Sequence, residues 1–177
     1  GFAADQVAGL DATAMSGLGA DQLGGMSATA MGGFAADQVA GLDATAMSGL
    51  GADQLGGMSA TAMAGFDAAQ VTNMKATAMS GLGATQLAGL STTAMAGFEA
   101  APITGMTAAA MSGLGADQLA GLPATAVAGF ESDQIKAISV EAIANLDADK
   151  MGTLSKEALG GITTDQFGAL GAEALGG

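Results

Sequence analysis

Carboxylates, hydroxyls, amides, thioethers and four lysines are the side chains in this sequence that could take part in chemistry. The chain has no His and no Cys. Their absence excludes a Ser-His triad, a thiolate nucleophile and an imidazole or thiolate metal site. We therefore predict that the protein is not an enzyme and that it binds no cofactor.

Aspartate and methionine recur at regular spacing, and each pattern could in principle bind a metal. One Asp in sixteen residues, as at Asp5 and Asp21, provides no cluster of the six to eight oxygens that Ca²⁺ takes. The Met positions of the first part of the chain become Val127, Ile143 and Leu159 later. These residues share only hydrophobicity with Met. We predict no metal site, a solubility and helix-dipole role for Asp, and a core role for Met.

Seven threonines, each followed by Ala, are the candidate binding residues. Most are sixteen residues apart, and they are Thr13, Thr29, Thr45, Thr61, Thr77, Thr93 and Thr125. A flat array of methyl and hydroxyl groups with few charges could bind ice, or it could pack against another copy or an adhesive partner. It could equally be a neutral surface in contact with solvent. The sequence leaves these three interpretations open.

The elements that position these residues are octapeptides. The chain divides without insertion into 22 octads, of which octad 1 is residues 1–8, with Gly177 left over. Position 1 is mostly Gly, whereas positions 2 and 7 always carry a large apolar residue. We predict that positions 2 and 7 turn inward together as a continuous core, because stacked repeats bury one face of each unit.

Two longer periods overlie the octad. Position 6 is Ala in even octads and mostly Gln in odd ones, which gives a sixteen-residue unit. Phe occupies position 2 of every fourth octad over much of the chain, at Phe2, Phe34, Phe66, Phe98 and Phe130. Residues 1–31 also recur unchanged as 33–63. We predict coils of sixteen residues, with thirty-two as the alternative.

Each octad has the signals of a short helix. Position 3 is often Asp, Ser or Thr, which are N-cap residues, and Thr163 with Gln166 forms a capping box. Gly at position 1, replaced by Asn73 and Asn145, indicates a left-handed residue after the helix. We predict an all-α tandem octapeptide solenoid. A β-solenoid is the alternative, which the low β-propensity of Ala, Gly and Asp disfavours.

Positions 5 and 6 are predicted to form the outer surface. Odd octads then present Asp and Gln, and even octads present Thr and Ala. From residue 141 onward Thr is replaced by Glu141, Glu157 and Glu173. We therefore divide the chain into a regular solenoid over 1–128 and diverged repeats over 129–177 that cap it at the C-terminus, because solenoid ends need polar surfaces.

The net charge of -13 opposes nucleic-acid binding, which depends on Lys and Arg displacing counterions. Residues 76–98 carry no charge, yet glycines recur there in phase with the octad. We therefore predict no nucleic-acid partner and no membrane span.

Several octads resemble a known class of repeat. GITTDQFG (161–168), GFESDQIK (129–136) and GLGADQLA (113–120) are similar to the octapeptide repeats of large secreted or surface-anchored bacterial adhesin-like proteins. This resemblance implies an extracellular or cell-surface location and no catalytic residues. We expect a non-enzymatic structural protein, a rod-like segment of an adhesin or a self-associating filament, that binds itself or a surface such as ice, a cell or matrix. Ice binding through the threonines is the alternative function.

Overall fold

The secondary structure is helical. A computed structural model describes residues 3–172 and 174, so that Phe2 and Glu173 lie outside it. Within that range the chain forms helices and no strand. The all-α prediction is confirmed, and the β-solenoid alternative is not supported.

Twenty-one helices of four to six residues follow one another along the described chain, one to an octad. Two of them, Ala44–Gly49 and Ala76–Gly81, are 3₁₀ helices. The α-helices are Ala4–Ala8, Ala12–Met15, Ala20–Gly24, Ala28–Met31, Ala36–Ala40, Ala52–Gly57, Ala60–Met63, Ala68–Thr72, Ala84–Gly89, Thr92–Met95, Ala100–Thr104, Ala108–Met111, Ala116–Gly121, Ala124–Val127, Ser132–Ala137, Val140–Ile143, Ala148–Thr153, Lys156–Leu159 and Thr164–Ala169.

Every described helix starts directly after position 3 of its octad. In most even octads the side chain at that position caps the helix, as where Ser59 Oγ accepts a hydrogen bond from the Ala62 N–H at 3.1 Å. Thr163 and Gln166 form both hydrogen bonds of a capping box. The N-cap prediction is confirmed, and these bonds satisfy first-turn N–H groups that the helix cannot.

The role predicted for glycine at position 1 is wrong. Gly41 ends its helix at φ -80° and Asn73 at φ -85°, and no described glycine has a left-handed φ. Instead, this glycine packs directly on the backbone of position 4 in an earlier octad. A Cβ on Gly113 would overlap the carbonyl oxygen of Ala84 and lie 2.7 Å from its Cα. Glycine is present because two segments of backbone meet there.

Positions 2 and 7 form the core, as predicted. Position 7 is at most 1% exposed in every octad from Val7 to Ile143. Position 2 is buried from Met26 to Leu154. These side chains belong to one continuous hydrophobic cluster, so no octad has a core of its own.

The predicted spacing of sixteen residues between coils is wrong. The principal helix–helix contacts of the described chain all join octads three apart, as between Ala84–Gly89 and Ala108–Met111. The glycine contact at position 1 spans 29 residues, from Ala84 to Gly113. We call these 29 residues a coil, about three and a half octads, which matches neither sixteen nor thirty-two. Three is an odd number, so each of the helix–helix contacts joins an odd octad to an even one.

Glutamine at position 6 ties adjacent coils together, so its predicted place on the outer surface is wrong. Gln70 is 2% exposed. Its Oε1 accepts the N–H of Asp67, and its Nε2 donates to the carbonyls of Val39 and Leu42, each at 2.8 Å. Lys150 replaces Gln at this position and donates from Nζ to the Ala120 carbonyl at 2.7 Å. The carbonyl groups of one coil therefore hold the next in register.

The division at residue 128 stays a prediction. Helix Ala108–Met111 packs on Ser132–Ala137 across it with the same spacing as elsewhere. Among the residues that the structure describes, no helix combines the length and the hydropathy needed to cross a bilayer.

We expect Gly113→Ala to destabilise the protein by about 1–3 kcal/mol, because the new methyl overlaps backbone that cannot rotate away. Gly152→Ala is the matched control. A Cβ there meets nothing within 4 Å, and Ala should stabilise that helix by about 0.5–1 kcal/mol. Urea unfolding followed by circular dichroism measures both changes. Equal effects would contradict the close-approach explanation.

Gln38→Glu and Gln6→Glu place the same change in two identical octads. Gln38 is buried and donates to the carbonyls of Val7 and Leu10, whereas Gln6 is exposed. We expect a loss of about 3 kcal/mol at 38, because a carboxylate would face carbonyl oxygens, and almost none at 6. Burial should raise the pKa of the introduced carboxyl. The loss at 38 should therefore shrink as pH falls through that raised pKa, which unfolding at pH 7 and pH 4 would measure.

Candidate binding surface

All seven candidate threonines are exposed. Each is the second residue of its helix, as Thr61 is in Ala60–Met63. The cap at position 3 fixes this placement, because it sets where the helix starts and so which side position 5 faces. A helical residue two places after position 5 lies about 200° around the axis. Thr at position 5 consequently points away from the buried position 7.

The alanines that follow these threonines do not share their surface. From Ala30 to Ala158, position 6 of every even octad is at most 2% exposed. The prediction of an outer surface of paired Thr and Ala is therefore wrong for Ala. Position 6 faces the preceding coil, whether it carries Ala or Gln. Ala14 is exposed because it belongs to the first coil.

The contacts between coils separate the threonines from one another. The helix that carries Thr29 packs between those that carry Asp5 and Asp53. Thr45 lies on a helix that packs on the helix of Asp21. Even octads meet odd octads in each of these contacts, so a threonine helix has helices of the other type above and below it. The structure does not gather the seven threonines into one uninterrupted column.

One threonine hydroxyl is engaged within its own octad. Thr45 donates from Oγ1 at 2.6 Å and from its N–H at 2.8 Å to Asp43 Oδ1. The hydroxyl bond, and then the amide bond, lower the pKa of Asp43 below its ordinary value. The Lys150 N–H bond similarly lowers the pKa of Asp147.

The aspartates at position 5 are spread over the outside rather than grouped. Among the described residues no three acidic side chains come together as a possible metal site. Asp5, Asp37, Asp53 and Asp117 are all exposed and lie in the first turn of their helices. A carboxylate is favourable there because it faces the positive end of the helix dipole.

Sequence reasoning missed a second surface, at the C-terminal end of the array. Position 7, buried in eighteen successive octads, is 42% exposed at Leu159 and 57% exposed at Phe167. A hollow of about 480 Å³ lies beside them, lined by Met151, Leu159, Ile162, Thr163, Thr164 and Phe167. The one available signal was Phe167, because no other octad has Phe at position 7.

Comparison of the chain with protein-family models, with curated proteins and with solved structures finds no match in any of the three.

Replacing Thr45 by Val should raise the pKa of Asp43 part of the way to its ordinary value, because the hydroxyl bond is lost and the amide bond remains. Thr61→Val, in an octad capped by Ser59, should leave that pKa unchanged. An NMR titration of the Asp43 carboxyl carbon measures both. A lowered carboxyl pKa stabilises the fold at pH values above the unfolded pKa, and this effect is lost as pH falls through the folded pKa. The variant should lose less stability on acidification.

Proposed function

We propose that this chain is a non-enzymatic structural repeat protein, a solenoid segment of a cell-surface adhesin or filament that acts through its length and its repeated sides. The observation that carries the proposal is the constancy of one contact. From Gln38 to Gln166, buried or half-buried glutamines donate to carbonyl groups 28 and 30 or 31 residues earlier. A contact that recurs at constant spacing joins similar units into a regular array.

Stacking explains why such short helices are stable. Helices of four to six residues are unstable in isolation, and each of these buries its apolar residues in a cluster shared with other octads. In solenoids, stability accordingly comes from the interfaces between units. At 29 residues to a coil the chain makes about six coils, and helix packing distances of 8–10 Å give a length of about 50–60 Å.

One copy is compact rather than extended. Its accessible surface is 7595 Å², close to the value of about 7,600 Å² expected for a compact protein of this mass. A structural role that depends on length therefore needs either more repeats or association between copies. The extracellular or cell-surface location rests on the resemblance to octapeptide repeats of adhesin-like proteins.

The arrangement of the threonines favours this structural role over ice binding. An ordered surface such as ice requires a flat, uninterrupted patch of uniform chemistry. Here the helix of Thr29 has helices bearing Asp5 and Asp53 on either side. Charged side chains therefore alternate with hydroxyls along the outside.

Removing or duplicating residues 33–64 tests the solenoid. This segment is four octads, and its first 31 residues repeat 1–31, so both changes preserve the frame and the alternation of octads. We expect both variants to fold with the same cross-section by small-angle scattering. The maximum dimension should change by about 10 Å, because slightly more than one coil is lost or gained. The unfolding temperature should rise with the number of coils.

Deletion of residues 33–56 is the matched control. It removes three octads and preserves the frame, yet it joins two even octads and so disrupts the pairing of Gln octads with Ala octads. We expect this variant to be much less stable than the shorter one lacking 33–64. A change in cross-section, or equal stability of the two deletions, would contradict the solenoid. Thermal hysteresis that Thr61→Leu and Thr77→Leu abolish would replace the structural role with ice binding.

A further inference from the structure

Three helices on one side of the solenoid lack the hydrogen bond with which the others begin. In all the other described helices, a side-chain oxygen at position 3 or position 6 accepts an N–H at the start of the helix. The exceptions are Ala76–Gly81, Ala100–Thr104 and Ala124–Val127. The middle helix of the three packs on both of the others. They therefore form one continuous column, which we call the seam.

Substitutions at the two positions that normally supply this oxygen account for the seam. Position 3 of the three octads carries Lys75, Glu99 and Pro123, and none of these side chains caps its helix. In the middle octad Pro102 also replaces Gln at position 6. The chain has two prolines, and both lie in the seam. The local signal for a helix start is thus missing from three octads that contact one another.

Pro102 also removes the hydrogen bonds between coils. By the spacing of Gln70 and Gln134, a glutamine at 102 would donate to the carbonyls of Val71 and Met74. Pro102 is buried in that place, and its ring has no donor. Within the described part of the chain, no other side chain donates to these two carbonyls. The middle helix of the seam therefore packs on the coil before it without the glutamine bonds found elsewhere.

The other sides of the same coils keep their glutamine bonds. Gln86, sixteen residues before Pro102, donates to the Met58 carbonyl at 3.2 Å. Sixteen residues after Pro102, Gln118 donates to the Leu90 carbonyl at 2.7 Å. At about three and a half octads to a coil, neither glutamine lies on the side of the seam. Coils that are bonded on some sides and not on one can separate at the unbonded side, as at a hinge.

The middle helix of the seam is also loose at its start. The nitrogen of Ile103 lies 3.4 Å from the carbonyl oxygen of Glu99. In octad 129–136, which also begins with Gly-Phe-Glu, the corresponding distance from Ile135 to Glu131 is 3.0 Å. The first turn is the part of a short helix that a cap stabilises. Octad 129–136 is thus a natural control for the seam, because it differs from the middle octad by having glutamine at position 6.

We infer that the coils separate first along the seam, so that the array bends there while its other sides stay bonded. This inference rests on the proposed solenoid and adds to it the place where the structure yields. Folded proteins open locally in the regions that have the fewest stabilising contacts. Separation on one side lets the array change direction without unfolding a coil. In a protein that acts through its length, the seam determines where that length can bend.

Native-state hydrogen exchange measured by NMR tests the seam one amide at a time. We expect the Ile103 N–H to be about 10- to 100-fold less protected than the Ile135 N–H, because two hydrogen bonds between coils are missing. Pro102→Gln should raise the protection of Ile103 to that of Ile135. Gln134→Ala should lower the protection of Ile135 to that of Ile103. Ala occupies position 6 of even octads, so the second variant should fold, which circular dichroism checks.

Spin labels measure the bending. The chain has no Cys, so pairs of introduced cysteines can be labelled specifically. Thr77 and Thr125 lie on the outer two helices of the seam, whereas Thr61 and Ala109 lie on helices that both pack on the capped helix Ala84–Gly89. All four residues are exposed, and each pair spans two helix packing distances, about 16–20 Å. We expect a broader distribution of distances for the 77/125 pair, which glutamine at 102 should narrow to that of the 61/109 pair.

The possible failures are distinguishable. Equal protection of Ile103 and Ile135 in the unchanged chain would overturn the inference, as would an Ile103 amide that Pro102→Gln leaves unchanged. Equally narrow distributions for the two label pairs would also overturn it, while leaving the solenoid in place. Distances far above 20 Å for both pairs, against the about 16–20 Å of stacked helices, would contradict the solenoid and the seam together.

Discussion

The close approach of two backbone segments, glycine at position 1 on alanine at position 4 of the coil before, is the constraint on which the rest of the structure depends. At Gly113 and Ala84 there is no room for even a methyl group between them. This close approach favours glycine at position 1, although Asn73, Ala137 and Asn145 also occupy that position. It also brings the side chain at position 6 within hydrogen-bond range of the preceding coil's carbonyls, and it lets positions 2 and 7 interdigitate.

Glutamine converts this close packing into a fixed register. An apolar contact between coils of Ala, Leu and Met would allow neighbouring coils to slide. The amide oxygen of Gln70 accepts the N–H at the start of its own helix, and the amide nitrogen donates its two hydrogens to the carbonyls of Val39 and Leu42. A slip by part of an octad would move that amide away from both carbonyls and leave it buried without partners, which is costly. Among the described residues, every buried side-chain nitrogen and oxygen has a hydrogen-bond partner.

The local structure of the octad could be predicted from the sequence, whereas the size of the coil could not. The N-cap at Thr163 and the burial of positions 2 and 7 depend on residues within a single octad. The sequence signals for them are therefore adjacent in the chain. The coil depends on the angle between successive helices, and it is fixed by contacts 29 residues away, as between Ala84 and Gly113. The alternation of Gln and Ala at position 6 was the relevant signal. A sixteen-residue coil would place Gln on Gln, whereas contacts three octads apart place each type on the other.

The roles of Gly and Gln were misread for one reason: both were explained within their own octad. Gly41 looked like a helix terminator and Gln38 like a surface residue, but both meet the coil before, Gly41 at Ala12 and Gln38 at Val7 and Leu10. The sides of the array carry exposed Asp at position 5, as at Asp37 and Asp53, and like charges on the sides oppose lateral packing.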